Sequence, residues 1–250
     1  MIDPRTTIVD ERLKKIPNII AVSSGKGGVG KSLIATTLAL ILKKRGHKVG
    51  LFDTDLTSPT THIILNVRGT YPEEKKGVIP PEVYGLKYMS IAYYSGERFL
   101  PLRGTDFSNA LRELLAITIW DALDFLIIDT PPGIGDATLD IIKLIRKVEF
   151  LIVTTPSQLA FETVRKLINL LSELKIPIIG VIENMAMREK PSIQKLVEEL
   201  GVKFWGEIPF DIKVEEALGD INKLLRTEFS RKLEEMIFNL EPDRYDSQEH

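Results

Sequence analysis

The sequence predicts an α/β fold, a doubly wound and mostly parallel sheet with helices on both faces. Two observations predict it. Short, almost uninterrupted apolar runs such as IIAVSS (19–24) and EFLIVTTP (149–156) recur along the chain. Strands of that composition are covered on both faces, which is the condition of a parallel sheet. Between them lie longer segments with helical spacing, so strand and helix alternate.

The elements follow in order. IIAVSS runs into a glycine-rich turn, and SLIATTLALILKKRG (32–46) reads as a helix. Lys43, Lys44 and Arg45 suit its last turn and Gly46 its stop. KVGLFDTD (48–55) is the second strand, and 56–85, with four prolines, reads as loop. GLKYMSIAYY (85–94) is a strand, TDFSNALRELLAITIW (105–120) a helix and DFLIIDTPPG (124–133) a strand ending in a turn. DATLDIIKLIRK (136–147), EFLIVTTP and QLAFETVRKLINLLSEL (158–174) give helix, strand, helix. IPIIGVIENM (176–185), KPSIQKLVEEL (190–200) and VKFWGEIPF (202–210) give strand, helix, strand, and a helical tail covers 212–239. The expected organisation is an N-terminal amphipathic arm (1–17), one domain (18–240) and a polar, disordered tail (241–250).

Composition removes several classes of function. Of 250 residues 44% are hydrophobic, enough for a sizeable core. Lys plus Arg is 33 and Asp plus Glu 35, a net charge of −2, which gives no general attraction to nucleic acid or to an anionic membrane. There is no cysteine, so this chain forms no disulfide and ligates no zinc or iron–sulfur cluster through its own thiolates. The three histidines, His47, His62 and His250, have no metal-ligand spacing. No apolar leader and no run of 18 apolar residues occurs, so a soluble cytoplasmic protein is expected.

The chemistry concentrates in GKGGVGKS (25–32), which fits G-x-x-x-x-G-K-[ST] between a buried strand and a helix. Its backbone N–H groups, from Gly25, Gly27, Gly28, Val29 and Gly30, can converge on phosphate oxygens, and the helix dipole favours the same anion. Lys31 would hold the β- and γ-phosphates and Ser32 would ligate Mg²⁺. Asp129 closes the apolar strand FLIID, the usual position for a carboxylate that orients Mg²⁺ through water. Asp53 and Asp55 close another strand; ligands of open α/β sheets bind at such carboxyl ends. Asp53 is expected to support the Mg²⁺ shell and Asp55 to orient the attacking water. Carboxylates gathered this closely call for a cation.

With its extra lysine after the first glycine, GKGGVGKS resembles the deviant phosphate loop of the Mrp/MinD/ParA ATPases. IWDALDFLIIDTPPGIGD (119–136), VTTPSQLA (153–160), GVIENM (180–185) and GEIPFD (206–211) resemble the Mrp branch, so the likeness runs over residues 18–235. It implies an ATP-bridged homodimer in which Lys26 reaches across to the partner's phosphates, as an arginine finger does. It also implies that Asn184 hydrogen-bonds adenine and that Pro209, Phe210 and Asp211 flank it. The base would be adenine, there being no N-K-x-D guanine motif. Three departures qualify the resemblance. ENMAMREKPSIQKL lacks the Cys-x-x-Cys by which Mrp-type scaffolds share a cluster; DLTSPT has Thr57 where the family tends to have glycine; and the acidic tail disfavours membrane cycling.

IAYYSGERFLPLRG (91–104), IPPEVYGLKYM (79–89) and the missing cysteines resemble the archaeal Mrp/MinD-type HypB of [NiFe] hydrogenase maturation. That subgroup implies nickel insertion together with a HypA-type metallochaperone. RTTIVDERLKKIP (5–17) puts Ile8, Val9, Leu13 and Ile16 near one helical face, either packed on the domain or docked in the partner's groove. Two other readings stand beside it: a partitioning or positioning ATPase, and an iron–sulfur cluster carrier without cysteines of its own. The basic stretch LKKRGHK (42–48) reads as a solvated helix end, so nucleic-acid binding is not expected.

Overall fold

The computed structural model describes residues 3–55, 58–95, 104–187 and 192–237. The chain starts with helix α1 (Pro4–Leu13) and strand β1 (Asn18–Ser24), then α2 (Lys31–Lys44), β2 (Val49–Asp53) and α3 (Thr61–Ile64). Three two-residue strands follow, β3 (Glu73–Glu74), β4 (Val78–Ile79) and β5 (Glu82–Val83), before β6 (Leu86–Ser90), α4 (Ala92–Ser95) and α5 (Gly104–Ile117). Then come β7 (Phe125–Asp129), α6 (Asp136–Leu144), β8 (Val148–Thr154), α7 (Gln158–Glu173) and β9 (Ile178–Ala186). The chain closes with α8 (Gln194–Glu198), β10 (Phe204–Pro209), α9 (Lys213–Ala217), α10 (Ile221–Leu224) and α11 (Glu228–Ile237).

Eight strands form one sheet in the order β10-β9-β8-β1-β7-β2-β6-β5, parallel except for β5 against β6. Alternate strand residues feed two cores. Ile19 and Ala21 of β1 face the layer made by α1, α5, α6, α7 and α8; Ile20 and Val22 face α2, α3 and α9 to α11. The expected doubly wound α/β fold is therefore found, with the C-terminal ends of the parallel strands along one edge.

The boundaries differ from expectation in four places. Residues 56–85, expected as loop, hold α3 and the short strands; a two-residue strand has no periodicity to read. The strand expected to reach 94 stops at Ser90, whose hydroxyl accepts the Ala92 N–H and starts α4. The α6 helix ends at Leu144 because Ile145 turns to extended backbone. The helical tail is three helices, broken at Gly219, whose φ of 80° is left-handed, and again between Leu224 and Glu228. Thr57 and the tail at 241–250 lie outside the described residues.

The N-terminal segment is packed. Asp3 caps α1 by accepting the Arg5 N–H, and Pro4 opens it. Val9, Leu13 and Ile16 are buried in the core beside α5 and α6, while Ile8 stays 42% exposed. The one apolar face expected of residues 5–17 is thus already occupied, apart from Ile8.

Candidate functional site

Strand β1 delivers the chain to the sheet edge at Ser24, and α2 starts at Lys31. The six residues between them make a tight loop. Gly28 and Gly30 take left-handed backbone, φ 77° and 84°. A Cβ at Gly25 would stand 2.3 Å from Thr163 Oγ1, and one at Gly30 would stand 2.3 Å from Asn184 Nδ2. Gly30 caps α2 without a side-chain acceptor, so the first N–H groups of the helix keep their capacity for an anion. Three bonds brace the loop: Ser24 Oγ–H to Lys26 O (2.9 Å), Gly133 N–H to Ser24 O (2.8 Å) and Asn184 Nδ2–H to Val29 O (2.9 Å). Asn184, expected at an adenine, thus supports the phosphate loop with one of its two amide hydrogens.

The acidic residues meet through sheet register. Asp129 at the end of β7 pairs with Val22 of β1 on one side and with Asp53 of β2 on the other. Both carboxylates are fully buried. Lys31 Nζ donates to Asp129 Oδ1 and lies 3.4 Å from Ser32 Oγ. Asp129 Oδ2 is buried with no partner among the described residues. Burial pushes the Asp129 carboxyl up and the Lys31 charge opposes that. Burial, and then the charge of Asp129, push Asp53 up to about 7.

Asp53, expected to support a Mg²⁺ shell, makes protein hydrogen bonds through both of its oxygens. Its Oδ1 accepts the Asp55 N–H (3.1 Å); its Oδ2 accepts the Thr61 N–H (3.2 Å) and hydroxyl (2.6 Å). The carboxylate is used to fold the following loop. Thr54 secures the same loop, donating both its N–H (2.9 Å) and its hydroxyl (2.8 Å) to Asp129 O. Asp55 accepts the Ser58 N–H (3.1 Å).

Beside these groups lies a cavity of about 650 Å³. Its lining includes Lys26, Gly27, Gly28, Gly30, Lys31, Ser32 and Asp55, together with Asn184, Pro209, Phe210 and Asp211. Gly25, Val29, Asp53 and Asp129 are not among its lining residues. Asp211 is engaged elsewhere: Oδ1 accepts the Lys213 N–H, and Oδ2 accepts the N–H groups of Glu228 and Phe229, tying this part of the lining to α11. Sequence reasoning missed Ile63, Val214, Leu218 and Phe229, which add an apolar wall. They belong to no motif, and Ile63 on α3 and Leu218 in the turn after α9 are exposed apolar residues that only the structure reveals. His62 is half-buried and outside the lining, with burial lowering its pKa.

The donor set suits a hard cation. A Ser32 hydroxyl and the unpartnered Asp129 oxygen are oxygen ligands beside a phosphate loop, matching Mg²⁺ that completes its shell with phosphate and water. Among the described residues no group of three or more His, Asp or Glu forms a self-sufficient metal site. The arrangement can hold a polyphosphate on backbone N–H groups and Lys31, with Asp55 and apolar side chains in the same cavity lining.

Comparison with known proteins agrees with this geometry. Residues 15–241 match the model of the ParA family, described as NUBPL iron-transfer P-loop NTPases. An iron–sulfur cluster carrier protein of Methanocaldococcus jannaschii is 41% identical over 226 residues, covering 84% of this chain and 78% of that protein. One from Methanococcus maripaludis is 37% identical over 230 residues, covering 85% and 80%. A nucleotide-binding protein of Archaeoglobus fulgidus, solved in complex with ADP, superposes with a TM-score of 0.75 at 30% identity, over 88% of this chain and 93% of that one.

Proposed function

The chain belongs to the ParA family of P-loop NTPases, and from that premise we propose that it is an ATP-hydrolysing switch of metallocentre assembly, in the iron–sulfur branch. The observation that carries the nucleotide reading is the buried Lys31–Asp129 pair at the floor of the glycine loop, with one Asp129 oxygen unspent. On ATP binding Lys31 exchanges Asp129 for the β- and γ-phosphates. Backbone N–H groups of 25–30 hold the remaining phosphate oxygens. Ser32 and Asp129 would hold Mg²⁺, which supplies charge neutralisation on the phosphates. Asp55 orients a water for attack on the γ-phosphorus; the bond to the ADP oxygen breaks and phosphate leaves. Lys26, supplied by the second subunit of an ATP-bridged homodimer, neutralises charge in the transition state. Pro209, Phe210 and Asp211 bring their backbone alongside the base, with Asn184 at its edge.

The relatives correct the finer expectation. Both are named iron–sulfur cluster carriers, and they support that branch over nickel insertion with a HypA-type partner. The absence of cysteine sets a limit on the cargo: a cluster handled here takes its thiolates from another protein. The role is then a nucleotide-dependent engagement and release of a cluster-bearing partner.

The test has two arms. Calorimetry with Mg·ATP and Mg·ADP, together with phosphate release, should show binding that Lys31→Ala abolishes; binding unaffected by that change would sink the nucleotide reading. Anaerobic reconstitution should leave the protein alone colourless and yield an iron-bearing complex only with a cysteine-containing scaffold. Cluster retention by the isolated chain, or by no complex at all, would remove the iron–sulfur reading.

A further inference from the structure

We propose that Tyr88 and Thr61 are positioning residues for the hydrolytic step, acting through Asp53 on the loop that presents Asp55. The inference rests on the ATPase reading above. Tyr88 is a fully buried residue of β6, in register with Leu51 of β2. Its hydroxyl lies 2.9 Å from Thr61 Oγ1. Thr61 has one hydroxyl proton, and the carboxylate oxygen of Asp53 at 2.6 Å takes it. Tyr88 is therefore the donor in its contact with Thr61. The chain of donation runs Tyr88 to Thr61 to Asp53, and every proton in it points at the Asp53 carboxylate.

What the chain holds is backbone at two places. Asp53 Oδ1 fixes the Asp55 amide and Oδ2 fixes the Thr61 amide, so one carboxylate holds both positions. Thr54 is fixed in parallel to Asp129 O. Asp55 is thus set on backbone anchored to both carboxylate-bearing strands, and its side chain borders the cavity. A phenylalanine would fill the Tyr88 position equally well by packing alone. A buried phenol there carries a desolvation cost that only a partner offsets. The Tyr88 hydroxyl has such a partner in Thr61, and a second in the Ser90 hydroxyl on its own strand. Tyr88 also meets Tyr93 edge-on at 5.8 Å, and that ring contact survives removal of the oxygen.

The test compares wild type with Tyr88→Phe, Thr61→Val and Thr61→Ser. Tyr88→Phe and Thr61→Val should lower kcat about tenfold or more, because orientation of the reacting groups is what they loosen. Nucleotide affinity should stay within about twofold, since no phosphate contact changes. Thr61→Ser keeps the hydroxyl and should restore kcat. Combining Tyr88→Phe with Thr61→Val should do no more than Thr61→Val alone, as the two act in series. Without nucleotide, hydrogen exchange at the amides of Asp55 and Thr61 should quicken in both variants. Unchanged kcat together with unchanged exchange would overturn the inference, as would multiplicative losses in the double variant. A wild type that releases no phosphate would overturn the ATPase reading instead, and the exchange arm would still pass or fail the loop-holding role by itself.

Discussion

Lys31 and Asp129 are opposite charges buried together, the lysine at the cavity wall and the carboxylate behind it, and each makes the other tolerable there. The pair has an uncomfortable neighbour in Asp53, which raises the electrostatic stakes at this one spot. Removing one partner of a buried pair leaves the other uncompensated, which costs about 3–5 kcal/mol. Lys31→Ala should therefore destabilise the nucleotide-free protein by that amount in urea denaturation, besides losing nucleotide. Adding Asp129→Asn should return most of the loss, because the orphaned charge goes with it. A single variant as stable as wild type would mean that the pair is a resting contact with no energetic weight. The same logic explains why ligand binding and stability are linked here: phosphate and cation together would satisfy Lys31 and the unpartnered Asp129 oxygen at once.

Among the elements, α1 tests how far packing overrides sequence pattern. Its spacing allowed a partner-docking arm, yet Val9 and Leu13 are buried against α5 and α6. Asp3 binds Arg5 and Arg112, and Arg5 reaches Glu113, so the helix start is also held by charge. These ion pairs are solvated, and each contributes little by itself. Leu13→Ala should cost about 2–5 kcal/mol by cavity formation, while Asp10→Ala, which removes a bridge to exposed Arg146, should cost less than about 1 kcal/mol. Thermal unfolding of the two variants checks both; equal, negligible effects would mean that the helix detaches before the domain unfolds. The central strands and long helices were legible because apolar runs and helical spacing are local properties. So was the glycine loop, whose residues are consecutive. The hydrogen bonds of Asp53 were not legible because the groups that make them arrive from elsewhere: Thr61 from α3, and Tyr88 behind it through β2–β6 register. Asn184 was read for an adenine, and its bond to Val29 joins residues 155 positions apart. No spacing in a single chain encodes a pairing of that range.

At the scale of the whole molecule, the sheet brings its chemistry to one edge, and that edge leaves Lys26 unfinished. β1 supplies the phosphate loop, β2 and β7 the carboxylates, and β9 and β10 further cavity lining in Asn184 and Pro209. Lys26 is exposed at the cavity, and among the described residues its amine has no hydrogen-bond or ion-pair partner. A cation that no described residue pairs is available to phosphates in either subunit, and the two cases separate by complementation. Lys26→Ala and Asp55→Ala are each expected to be inactive alone. If the lysine works across the interface, a mixed dimer contains one intact site. There the Lys26→Ala subunit supplies Asp55 and the Asp55→Ala subunit supplies the lysine. Mixing equal amounts should then restore about a quarter of wild-type turnover, since half the dimers are mixed and each has one of two sites working. If Lys26 serves its own nucleotide, every site in every dimer lacks one group and the mixture stays inactive. Phosphate release from the mixture, read beside light scattering to establish that dimers form with ATP, decides between them.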